Sequence, residues 1–124
     1  MSEPRLGYVN VTVSDIDRSV AFFRDTVGLP LNFADAEFGY ASFATRGASF
    51  AVVQAPDGEA VGRHTGVGFV VDDLDAAHAA LAEKGVVFTR PPTREPWGGY
   101  MAIFADPDGN TYYLDQVPAD PVHP

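Results

Sequence analysis

One ten-residue pattern occurs twice in this chain. Tyr8-Val9-Asn10-Val11-Thr12-Val13-Ser14-Asp15-Ile16-Asp17 returns as Gly66-Val67-Gly68-Phe69-Val70-Val71-Asp72-Asp73-Leu74-Asp75, at a constant offset of 58 residues (73 minus 15). Each copy alternates apolar and polar residues like a strand, then reaches an acidic helix start. The offset pairs Val9 with Val67, Val11 with Phe69 and Val13 with Val71. Downstream, Gly28-Leu29-Pro30-Leu31-Asn32-Phe33 is answered by Gly85-Val86-Val87-Phe88. A unit repeated once over half the chain specifies two similar modules, each needing a partner layer for the apolar face of its strands.

The elements follow from the spacing. In the first strand Val9, Val11 and Val13 face helices, while Tyr8, Asn10 and Thr12 face the other way. Ser14 or Asp15 caps a helix whose stripe is Ile16, Val20, Phe23 and Val27, and Gly28 ends it in a left-handed conformation. Strands are expected over 29–33, 38–44 and 48–54, giving β-α-β-β-β. The second module repeats this: a strand over 65–71, a helix over 74–84 with Leu74, Ala77 and Leu81 buried, and strands over 86–89, 100–105 and 111–116. Arg90 to Gly99 reads as a long loop carrying the single tryptophan, Trp97. Asp106-Pro107-Asp108-Gly109-Asn110 reads as a type I turn. The expected fold class is α+β, one domain with modules at about 6–54 and 65–117, a linker over 55–64 and a frayed tail over 118–124.

Composition narrows the functions. The chain has no cysteine, which excludes disulfides, thiolate metal sites and cysteine nucleophiles. Its net charge of -9 argues against nucleic acid or an anionic membrane as partner. It leans weakly toward a cationic ligand, although an acidic surface serves solubility as well. No apolar run is long enough to span a bilayer, and Met1-Ser2-Glu3-Pro4-Arg5 lacks a signal-peptide pattern, so a cytoplasmic location is expected.

Several motifs together resemble the vicinal oxygen chelate superfamily, the glyoxalase and bleomycin-resistance fold. They are Val13-Ser14-Asp15-Ile16-Asp17-Arg18-Ser19-Val20-Ala21-Phe22-Phe23-Arg24-Asp25 with Gly28-Leu29, the repeat at Val71 to Asp75, the Pro96-Trp97-Gly98-Gly99 loop, and Phe104-Ala105-Asp106-Pro107-Asp108-Gly109-Asn110. The resemblance implies two βαβββ modules whose curled mixed sheet surrounds a cavity, with helices outside, often as a homodimer. In metal-dependent members, one histidine or glutamate comes from each of four strands. Carried over, those positions are Tyr8, Gly66, Tyr113 and either Ala51 or Val52, with Gln54 the nearest polar residue. No divalent metal or other cofactor is therefore expected, unless the register differs. His64 is the one histidine that could serve as a metal ligand, and it reads better as a loop residue near the cavity mouth.

The residues expected to line the cavity are Tyr8, Asn10, Thr12, Gly66, Gly68, Thr111, Tyr113 and Asp115, with Trp97 and Tyr100 near its rim. Tyr100 and Phe50 read equally well as core. Tyr112 and Leu114 alternate onto the helix face. Aromatic walls with a few polar groups suit a planar or cationic small molecule. The first functional reading is a metal-free small-molecule binding protein, similar to the bleomycin-resistance branch, that sequesters a drug or metabolite. The alternative is an enzyme of the lyase, isomerase or dioxygenase type. It would be metal-independent, with Asp115 the best catalytic group, or hold a metal through unrecognised ligands.

Overall fold

The structure, a computed structural model, describes residues 3, 4 and 6–116. The expected tail over 118–124, with His123, lies outside the described residues, as do Met1, Ser2 and Arg5. The chain divides into two compact units, Met1–Val61 and Gly62–Pro124.

The first unit holds strands β1 (Tyr8–Val13), β2 (Leu31–Asp35), β3 (Tyr40–Phe43) and β4 (Ser49–Gln54), and helix α1 (Ile16–Ala21), which continues as a π-helical segment over Phe22–Val27. The second holds β5 (His64–Val71), α2 (Leu74–Glu83), β6 (Val87–Arg94), β7 (Tyr100–Ala105) and β8 (Thr111–Gln116). Among the described residues the sheets have the orders β1-β4-β3-β2 and β5-β8-β7-β6. In each, the strand before the helix pairs in parallel with the last strand of its unit, and the other pairs are antiparallel. This is α+β architecture built from the repeat.

The valine face of β1 behaves as the alternation requires: Val11 and Val13 are buried, while Tyr8, Asn10 and Thr12 are exposed. Behind it packs an aromatic cluster. Phe23 lies 4.9 Å from Phe50 and 5.8 Å from Phe43, ring centre to ring centre. Phe50 is thus a core residue. In the second unit Leu74, Phe104, Tyr112 and Leu114 form the corresponding core, with the Phe104 and Tyr112 rings stacked at 5.3 Å. His78 packs edge-on against Phe88 at 4.5 Å, a helix-to-sheet contact.

Both helices are capped in the same way. Asp15, rather than Ser14, accepts from the Arg18 amide at 3.2 Å, and Asp73 accepts from the Ala76 amide at 3.1 Å. A glutamine at the end of the last strand completes each cap. Gln54 Oε1 accepts from the Ile16 amide at 2.8 Å and its Nε2 donates to the Ser14 carbonyl. Gln116 Oε1 accepts from the Leu74 amide at 3.1 Å. Each glutamine satisfies a helix-start N–H that has no partner within its helix. Gly28 closes the first helical segment at φ 92°.

The strand over 86–89 is longer than expected. β6 runs to Arg94, through Pro91 and Pro92, so half of the expected Arg90–Gly99 loop is strand. Proline lacks an N–H but is tolerated on an edge strand, and the register slips on either side of Arg90. Two prolines concealed the strand from composition. The expected turn at Asp106 is present: the Gly109 amide donates to the Asp106 carbonyl at 2.9 Å. The buried Asp106 carboxylate collects the amides of Asp108 and Asn110, the Asn110 side chain, and the Tyr112 hydroxyl at 2.7 Å. Asn110 Oδ1 in turn accepts from the amides of Gly62 and Arg63.

Two predictions follow from these contacts. Gln54→Ala removes two hydrogen bonds and Gln116→Ala one, so urea midpoints should fall by an amount worth about 1–3 and about 1 kcal/mol, with unchanged m-values. Equal midpoints for both variants and the wild type would show that water caps these helices as well. Tyr112 carries the pH prediction. Burial first, then the Asp106 charge, holds its hydroxyl well above the ordinary value of 10.0. The unfolded chain releases that proton near pH 10 while the folded chain keeps it, so this contribution is complete below pH 10 and declines above it. Tyr112→Phe should cost about 1–2 kcal/mol at pH 8, and its stability gap to wild type should narrow between pH 10 and 12. A gap constant over that range would contradict this account.

Candidate functional site

The side of each sheet away from its helix holds most of the residues named from sequence. In the first unit the register aligns Asn10, Ala51, Ser42 and Phe33 in one row, and Thr12, Val53, Tyr40 and Asp35 in the next. Tyr8 is 64% exposed at the start of β1, and Phe33 and Tyr40 lie 6.3 Å apart. Neither Phe33 nor Tyr40 was singled out from sequence: the bulge in β2 between Leu31 and Phe33 breaks simple alternation at Phe33, while Tyr40, in regular register with Val53, was missed.

In the second unit the central row reads Gly68, Tyr113, Ile103 and Arg90 across β5, β8, β7 and β6. The row beyond it holds Val70, Asp115, Met101 and Thr93. On the other side His64 stands beside Thr111. Gly66, Gly68 and Val70 are exposed, and Thr111, Tyr113 and Asp115 are half-buried. Asp115 Oδ1 itself is buried, and the residue is already engaged within the protein. Arg90, which sequence had placed in a loop, pairs with Glu95 at 2.9 Å.

Gly66 has a special backbone. Between the pairs His64–Thr111 and Gly68–Tyr113, β5 spends four residues where β8 spends two. Gly66 takes φ +75° in this bulge, and nothing lies within 4 Å of where a Cβ would sit. Thr65 bridges the break: its hydroxyl donates to the Thr111 carbonyl at 2.7 Å and accepts from the Val67 amide at 3.1 Å. Beside the bulge, His64 Nδ1 and Thr111 Oγ1 are 2.7 Å apart, and the imidazole stands edge-on to Tyr113 at 4.8 Å. His64 is thus the first residue of a strand, not part of a loop.

Trp97 and Tyr100 are placed differently from their neighbours. Trp97 is half-exposed in the tight turn between β6 and β7, closed by the Glu95 amide donating to the Gly99 carbonyl at 2.8 Å. Its indole lies directly on Gly99, where a Cβ would come within 2.2 Å of the ring. Tyr100 was expected at the cavity rim, and the structure corrects this. Its hydroxyl donates to Asp75 of α2 at 2.6 Å and the Arg94 guanidinium covers its ring at 4.5 Å, so it belongs to the helix side of the sheet.

The divalent metal that the fold suggests does not fit these residues. A metal centre needs three or more imidazole or carboxylate donors. Tyr8 and Tyr113 offer neutral phenols, Gly66 offers no side chain, Ala51 offers a methyl, and Val52 is buried in the core. Gln54 is committed to the α1 cap. Among the described residues, no three of the metal-binding side chains cluster. Restoring a ligand at Gly66 meets the backbone as well, since a side chain at positive φ costs about 1–3 kcal/mol. Gly66→His should therefore lower the melting temperature and, after incubation with nickel or zinc and desalting, carry far less than one ion per chain. An undiminished melting temperature with stoichiometric metal would refute this reading of the bulge.

Comparison with known proteins places this geometry. The model of the Glyoxalase/Bleomycin resistance protein/Dioxygenase superfamily matches residues 5–113. The chain is 32% identical to TnmS3, an antibiotic binding protein from Streptomyces sp. CB03234, with a TM-score of 0.80 over 95% of this chain and 99% of that one. It is 28% identical to a superfamily member from Sphaerobacter thermophilus DSM 20745, with a TM-score of 0.82 over 93% and 98% of the two chains. It is also 31% identical to the uncharacterized protein YraH of Bacillus subtilis (strain 168), over 86% of this chain and 93% of that protein. The chain belongs to the Glyoxalase/Bleomycin resistance protein/Dioxygenase superfamily.

Proposed function

We propose that this protein binds a flat, aromatic small molecule stoichiometrically, without a metal ion and without turnover. The observation that carries the reading is the row Gly68–Tyr113–Ile103. A glycine gap, an aromatic face and an aliphatic neighbour lie side by side on the sheet surface opposite the helix. A Cβ at Gly68 would meet only the Cβ of Tyr113, at 3.6 Å, so its absence leaves a shelf beside the base of that side chain. Such a surface supplies contact area to a planar ligand and no nucleophile. The residues at the superfamily's ligand positions cannot hold a metal, which removes the group on which its metal-dependent chemistries depend. The likeness to an antibiotic binding protein supports the same reading.

Asp115 is poorly placed for the alternative of metal-free acid or base catalysis. Its Oδ1 is buried and the residue is engaged. A general base must reach the proton it removes.

The test is a thermal-shift screen of aromatic natural products, followed by calorimetry on any that stabilise the protein. One ligand per chain or fewer, recovered intact after prolonged incubation, is the expected result. Tyr113→Ala should weaken that ligand roughly 3- to 10-fold, the worth of one aromatic contact. Conversion of the ligand to a product, or affinity indifferent to Tyr113, would overturn the proposal.

A further inference from the structure

The imidazole of His64 is held in place on a surface where an ordinary histidine would rotate freely. Three features hold it. The bulge at Gly66 brings His64 opposite Thr111. Thr111 Oγ1 fixes Nδ1 at 2.7 Å. Tyr113 supports the ring edge-on at 4.8 Å. The residue is nevertheless exposed. Either tautomer leaves Nε2 as a polar atom committed to no hydrogen bond among the described residues: a donor if Thr111 donates to Nδ1, an acceptor if it accepts. The ring stands against Tyr113, the residue paired with Gly68 that lines the shelf described above.

The charges around the shelf indicate what it would meet. Arg90 ends the same row as Tyr113 and Ile103, and its guanidinium is partly balanced by Glu95. Asp115, the one acid expected to attract a cation, stands a row further from His64, with its Oδ1 buried. A ligand on Tyr113 therefore has an imidazole beside it and sits in a row that ends at an arginine.

We infer that His64 anchors the ligand through Nε2 to an acidic oxygen, so that the protein selects flat aromatic compounds carrying a carboxylate or acidic phenol. This rests on the small-molecule reading above and reverses the expectation of a cationic ligand. An Nε2–H would donate to such an oxygen, and because the acceptor is ionised the hydrogen bond is stronger than one between neutral groups.

The experiment is a ¹⁵N NMR titration of the full chain with two probes, 2-naphthoate and its methyl ester. Both should shift the amides of Gly66, Gly68 and Tyr113, and the acid should bind about tenfold more tightly. His64→Ala should abolish that preference, and His64→Gln should restore part of it. The spectra themselves report whether each variant is folded. If both probes bind with equal affinity, or His64→Ala weakens them equally, the inference fails while the binding reading stands. If neither probe shifts those amides, this inference falls and the small-molecule reading of this face falls with it.

Discussion

Parallel pairing of the first and last strands of each unit is the constraint on which the rest depends. β1 with β4, and β5 with β8, are the contacts that close each module across its whole length. A parallel pair requires a crossover, and the intervening helix must then pack on one side of the sheet. That choice decides the role of every strand residue. Val11, Val13, Phe43, Phe50, Phe104, Tyr112 and Leu114 enter the core, and their alternating neighbours form the opposite face. The glutamine at the end of β4 or β8 ties the start of the helix to this pair, so helix position and strand register are set together.

The two units have diverged within this common frame. Both keep the aspartate cap, the glutamine and the strand order. The second adds the Gly66 bulge and the Asp106–Asn110 knot, in which one buried carboxylate accepts four hydrogen bonds. The bulge changes more than one side chain. It alters which residues of β5 stand beside β8, and so brings His64 to Thr111 and Tyr113. The glycine at one of the carried-over ligand positions and the placement of the imidazole therefore share one backbone feature.

The fold was largely legible in the sequence because its cause is local. Period-two alternation, an aspartate cap and a closing glycine recur at one offset, and each has a short-range physical reason. What was missed is non-local. Tyr100 follows strand parity onto the helix side, where Asp75 and Arg94 hold it, but its position just after a glycine turn suggested a rim. Arg90 and Phe33 reach the sheet face only once the register slips are counted, and no sequence pattern announces a slip. Gln54 looked like a displaced donor for a site, yet its amide is used by a helix start 38 residues earlier. The likeness of the two halves was visible as a repeat, and the matching Gln54 and Gln116 contacts show that it extends to hydrogen bonding.

Pro91 and Pro92 have a consequence for how the molecule behaves in company. β6 is the outer strand of its sheet, and an outer strand with a full row of amides is a template onto which another chain can add. Two consecutive prolines leave two positions of that strand without an N–H, and the adjoining slips bend what is left out of line with a regular ladder. The same residues that disguised the strand as a loop thus guard it against edge-to-edge aggregation.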